Sequence, residues 1–129
     1  MNASLKGFLS ENAVAHELMA RDFEVYKPLV DIYGCDFVIY KNLISSKIQV
    51  RSTACVRNNG CYNFNCFHGS YGNIPYESHM IDYFILHLVD IDVYYIIPFA
   101  DVDASYISIT LNPKNKYYRY KEAWNLLEE

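Results

Sequence analysis

Glu11, Asp36, Gln49 and Arg51 are the residues of this chain whose types and spacing could do chemistry together. Glu11 falls on the apolar stripe of a predicted helix over residues 4–21, in phase with Val14, Ala15 and Leu18. A carboxylate on an inward face is costly unless a cation or hydrogen bonds meet it. Asp36 opens a predicted strand over residues 36–40. Gln49 and Arg51 share one face of the next, over residues 47–52. If those strands are neighbours, the period of two sets Gln49 and Arg51 beside Asp36. Two carboxylates and an amide oxygen are hard ligands suited to Mg²⁺ or Mn²⁺. A metal held there would polarise a phosphate and lower the pKa of an attacking water. The guanidinium would stabilise charge on pentavalent phosphorus.

Taken singly, each residue has an ordinary explanation. Glu11 could lie solvated near a helix start, Asp36 could be a turn residue after Gly34, and Gln49 and Arg51 could line an exposed strand face. The order in which they occur weighs against four separate accidents.

The elements that must position them follow from periodicity. A short strand over residues 23–26 ends at Pro28. Residues 41–46 read as a polar turn between the two site strands. Asn59-Gly60 is a hairpin signal, so residues 61–67 are expected to return antiparallel. Residues 68–78 form a loop, 83–88 and 93–98 two strands around a turn at Asp90-Ile91-Asp92, and 103–111 a further strand or turn. Residues 118–127 read as a closing helix burying Tyr120, Ala123, Trp124 and Leu127. The order predicts an α+β fold, one central mixed sheet flanked by helices.

The chain has 129 residues and a net charge of −4, the size of one domain, read here as residues 1–129. The basic residues cluster, as Lys41, Lys47, Arg51 and Arg57 and as Lys114, Lys116, Arg119 and Lys121. The second run is the usual pattern of a solvated face. No apolar run approaches the roughly 20 residues of a membrane span, and no signal peptide opens the chain. A soluble, cytoplasmic protein with no membrane partner is expected. Cys35, Cys55, Cys61 and Cys66 lack zinc-ligand spacing and read as small core residues. His68 and His79 read as surface histidines, Glu17 as solvated, His87 as a satisfied, partly buried residue, and Asp90 and Asp92 as turn residues. The chain carries no Ser-His-Asp, Cys-His or P-loop pattern.

The segments "KGFLSENAVAHELMARDFEVYKPLV", "GCDFVIY" and "KIQVRS" resemble the PD-(D/E)XK nuclease superfamily. Its pattern is a helix glutamate, an aspartate at a strand, then (D/E)xK on the next strand. The resemblance is greatest to the branch of group I intron homing endonucleases, which carries a Q-x-K form. It extends through "MIDYFILHLVDIDVYYIIPFADV" and "YRYKEAWNLL". It implies Asp36 as central metal ligand, with Gln49, the carbonyl of Val50 and Glu11 completing the set, and Arg51 at the position of the catalytic lysine. Arginine stays protonated and cannot act as a base, but it can stabilise phosphoryl charge. Gln49 removes a charge that Asp31 is near enough in sequence to restore.

The function so implied is Mg²⁺-dependent, site-specific hydrolysis of double-stranded DNA by a homing-type endonuclease. Cutting both strands calls for a homodimer or homotetramer. Arg57, Asn58, Asn59, Asn63 and Lys47 are the expected DNA contacts, and Asn65 is equally suited to base edges. The alternatives are a catalytically weakened DNA-binding module of the same fold and a Holliday-junction-type resolvase. Arg51→Lys separates the nuclease from the binding module: it should raise metal-dependent cleavage in a gel assay if the site is a nuclease and have no effect, with DNA binding intact, if it is not.

Overall fold

The computed structural model describes residues 2–30, 34–54 and 60–129. Helix α1 (Ala3–Ala20) starts at Asn2, whose side chain accepts the Leu5 N–H at 2.8 Å. Strands β1 (Glu24–Tyr26), β2 (Phe37–Lys41) and β3 (Ile44–Thr53) follow, then β4 (Cys61–Asn65), β5 (Tyr83–Leu88), β6 (Val93–Pro98) and β7 (Tyr106–Thr110). The order β1-β2-β3-β5-β6 makes a five-stranded mixed sheet, in which only β3 and β5 run parallel. β4 and β7 form a separate antiparallel pair. Among the described residues, no helix is long and apolar enough to cross a membrane.

The strand period divides the core between two faces of the large sheet. Phe37, Ile39, Ile48, Val50, Ile85 and Ile96 pack against Val14 and Leu18 of α1 and against Trp124 and Leu127. Phe84, Leu86, Leu88 and Ile97 pack on the other side against Tyr62 and Phe64 of β4 and Ile107 and Ile109 of β7. The sheet is thus sandwiched between one α-helix and a two-stranded ribbon.

Three expectations are corrected. β3 begins at Ile44, because the turn is only Asn42 and Leu43, both left-handed (φ 53° and 66°). A turn of that hand matches the strand twist, so pairing runs up to Lys41↔Ile44. The strand entered at Cys61 does not return along β3. Both edges of β3 are already occupied, by β2 and β5, and β4 pairs with β7 instead. The closing segment is not an α-helix but two 3₁₀ turns, Tyr118–Tyr120 and Trp124–Glu128. Between them Glu122 is left-handed (φ 51°) and exchanges backbone and side-chain hydrogen bonds with Tyr94. Pairing with β6 outcompetes helix there, while Tyr120, Ala123, Trp124 and Leu127 are buried as expected.

Leu43 sits in the left-handed region with its side chain 89 % exposed, so it gains no burial to offset the strain. Leu43→Gly is expected to stabilise the protein by about 0.5–1 kcal/mol. The check is a higher urea midpoint at unchanged m-value.

Candidate active site

The site lies where β2 and β3 part. Asp36 N–H donates to the Ile48 carbonyl at 2.8 Å, the last backbone bond of the pair. Gly34, with φ 84° and Met80 packed against it, then turns the chain away. Residues 48 and 50 direct their backbone groups to the β2 side, and 47 to the β5 side, where Lys47 exchanges bonds with Asp82. Val50 therefore reaches past the start of β2. Its N–H is met by the Asp36 carboxylate, at 2.8 Å. Its carbonyl projects to the same side.

One step beyond Phe37↔Ile48 the register sets Asp36 against Gln49. Gln49 is buried to 7 % exposure. Glu11, half-buried on α1, lines the same cleft as Asp36 and lies near enough to push its carboxyl up. Arg51 follows on the Gln49 face. Its Nε donates to the Asn65 carbonyl at 3.1 Å and its Nη2 to the Phe67 carbonyl at 3.2 Å and the Tyr76 hydroxyl at 2.6 Å. These groups line one open cleft of about 650 Å³, together with Ser10, Ser52, His68, Tyr76 and Met80.

Burial and the neighbouring Glu11 push the Asp36 carboxyl up, from 3.8 to about 7, against the Val50 N–H and Arg51, which favour its charge. The donor set fits a hard divalent ion: Asp36, Glu11, the Gln49 amide oxygen and the Val50 carbonyl are all oxygen. Among the described residues no group of three His, Cys, Asp or Glu converges, so an ion here would have two charged ligands at most and keep several waters. Among the described cysteines, Cys35 and Cys66 are buried, and burial pushes the Cys66 thiol up to about 11.

Glu11, Asp36, Gln49, Val50 and Arg51 are thus together. Lys47 is not in the cleft: it is exposed, and its Nζ donates to the His79 carbonyl at 2.7 Å. Asn63 is exposed on the outer face of β4, beside Ser108. Asn65 is committed to holding the next loop, through Phe67 N–H at 2.9 Å and the Gly72 carbonyl at 3.3 Å, rather than being free for a base. Arg57, Asn58, Asn59, Asp31 and Cys55 lie outside the described residues. His68 is no plain surface residue. It forms part of the cleft wall, its ring 4.4 Å from that of Tyr76 and tilted 31° to it, with Nε2 buried and without a hydrogen-bond partner among the described residues. Glu17, expected to be solvated, is half-buried and paired with Arg21, whose guanidinium lies over Trp124. Tyr76 was missed, because nothing in a Gly/Asn/Pro-rich loop marks one tyrosine for a distant arginine. Ser10 was legible: it continues the Val14 and Leu18 stripe one turn back.

A carboxyl raised by folding costs stability as pH climbs from its unfolded value to its folded one, and the cost is constant above that. In metal-free buffer the wild type should lose stability relative to Asp36→Asn between pH 4 and pH 7. The amide mimics the protonated acid. The expected difference is a few kcal/mol at pH 8 and small at pH 4. Denaturant titrations of both proteins across that range are the check.

A bacterial homing endonuclease, I-Ssp6803I, has the same architecture, with a TM-score of 0.84 over 98 % of this chain and 93 % of that one. At 23 % identity that likeness speaks for the fold. No curated protein matches the sequence. The model of the PD-(D/E)XK endonuclease family matches residues 1–127, and the chain belongs to that family.

Proposed function

We propose that this chain is a Mg²⁺- or Mn²⁺-dependent endonuclease that cuts double-stranded DNA at specific sites, of the homing type. The observation that carries the reading is the meeting of Glu11, Asp36, Gln49, Val50 and Arg51 in one open cleft of a PD-(D/E)XK chain. Asp36, Glu11, Gln49 and the Val50 carbonyl would hold the metal. When bound it supplies Lewis acidity toward a phosphate oxygen and a water of lowered pKa.

The chain's own part is electrostatic and positional. Asp36 is fixed by the Val50 N–H, so its second oxygen points at the cleft without reorganisation. Arg51 remains a cation and cannot accept a proton. Its Nε and Nη2 are tied to the protein, which leaves Nη1 without a hydrogen bond among the described residues. That edge is the donor offered to phosphoryl charge. The cost of charge burial is offset by the two carbonyls and the phenol that hold the rest of the fork.

DNA would lie across the ribbon. The outer face of β4–β7 offers Asn63 paired with Ser108, and Tyr106, and the ribbon runs into the cleft at Asn65, whose own side chain holds the next loop. A two-stranded ribbon fits a major groove, where neutral amides and hydroxyls read base edges. The residues between β3 and β4, with Arg57, Asn58 and Asn59, join this ribbon to the catalytic strand. One such cleft cuts one strand, so a homodimer or larger homo-oligomer would place two on a near-symmetric target. The architecture shared with a homing endonuclease supports that class.

Incubation with a randomised duplex library should give discrete cut sequences in Mg²⁺ or Mn²⁺ and none in EDTA. Asp36→Ala should lower the rate at least about 100-fold while retaining DNA binding. Binding without cleavage, by wild type and Arg51→Lys alike, would make the chain a non-cleaving DNA-binding module. Preferred cutting of four-way junctions over linear duplex would make it a resolvase.

A further inference from the structure

Apart from tyrosines, the buried polar side chains among the described residues are Ser10, Ser46, Gln49 and His87. Gln49 belongs to the cleft. Ser10 and His87 meet each other: Ser10 Oγ lies 2.9 Å from His87 Nδ1. On the far side of the ring, His87 Nε2 lies 2.8 Å from Asp92 Oδ1. Asp92 is the left-handed residue of the β5–β6 turn, with a side chain 75 % exposed. A carboxylate only accepts, so Nε2 carries a proton toward Asp92 and the ring is held with Nδ1 facing the Ser10 hydroxyl. The ring itself is stacked on Tyr94, with centroids 4.4 Å apart and planes within 4°. No Ser-His-Asp pattern marks the sequence, yet folding assembles these three residues. They are not a nucleophilic triad, because Ser10 is only 3 % exposed.

The place of the chain in the fold explains it. The buried residues of α1 are Ser10, Val14 and Leu18, one face at successive turns. Val14 and Leu18 sit in hydrocarbon, whose contacts are not directional. N-terminal to Ser10, Leu5, Phe8 and Leu9 are exposed. Ser10 is therefore the last anchor before the open end of the helix, and a directional one. Glu11 is the next residue and meets Asp36.

We propose that His87, oriented by Asp92, is a positioning residue that acts through Ser10 to set the rotation of α1 and so the placement of the Glu11 carboxylate for a divalent cation. This rests on the reading of Glu11 and Asp36 as the metal-holding pair. The histidine touches neither metal nor substrate.

The test is Mn²⁺ binding to the DNA-free protein, by calorimetry, with thermal unfolding measured in parallel. Ser10→Ala, which removes the bond and keeps the helix, should weaken binding roughly tenfold, as loss of a group that orients a ligand does. Ser10→Thr should restore it, and His87→Gln should weaken it like Ser10→Ala. In a Glu11→Gln background, Ser10→Ala should have no further effect, because its action passes through Glu11. Wild-type affinity in Ser10→Ala overturns the proposal, and so does an equal loss in both backgrounds, which would mark a general loosening. No Mn²⁺ binding by the wild type overturns the metal reading and this inference with it. Binding that Ser10→Ala leaves unchanged overturns this inference alone.

Discussion

The hydrogen bond from the Val50 N–H to the Asp36 carboxylate is the constraint on which the site turns. Two paired strands must separate somewhere, and where they do a backbone N–H loses its partner. Here the chain leaves β2 at Gly34, and the first residue of the departing segment to face the gap is an acid. Its side chain replaces the missing carbonyl. The same act fixes a carboxylate at the mouth of a cleft, turns the Val50 carbonyl toward it, and places the acid under the end of α1. A neutral cap would satisfy the N–H equally well. The acid adds a buried charge that the fold meets only in part, with Glu11 adjoining and Arg51 on the other side.

β3 is the partition around which the opposing demands are arranged. Its alternate residues Ile48 and Val50 close the core beneath α1, while Gln49 and Arg51 stand on the face covered by the ribbon. β5 is divided in the same manner: Phe84, Leu86 and Leu88 face the ribbon, and Ile85 faces the helix, as does His87 through its bond to Ser10. Two polar groups find partners in other layers, Arg51 in the carbonyls of Asn65 and Phe67 and His87 in the helix. Each buried polar group thus fixes a neighbouring layer in register as well as its own side chain. Apolar contact alone would leave those layers freer to slide.

Chemistry on the strands was legible because it rides on a short period. Asp36, Gln49 and Arg51 are fixed relative to one another by alternation and one hairpin, and the helix phase of Glu11 is equally local. The strands at Tyr83–Leu88 and Val93–Pro98 were read to the residue, as continuous apolar runs around a two-acid turn. The misplaced turn at residues 41–46 is local, but the other two failures share a cause, competition between partners distant in sequence. Asn59-Gly60 signals a hairpin, but the edge it would use belongs to β5. Residues 118–127 carry a helical stripe, but β6 offers Glu122 a better set of bonds.

The sequence by itself determined which residues could do chemistry, on what element each sits and which way each faces, since these follow from bond geometry repeated over a few residues. Only the tertiary structure decided that Tyr76 and two carbonyls hold Arg51, that Lys47 stands outside the cleft, and that Ser10, His87 and Asp92 form one chain. Those contacts join stretches dozens of residues apart. Their pairing is set by which sheet edges and buried donors remain unclaimed after the rest of the chain has packed, and no local pattern encodes that remainder.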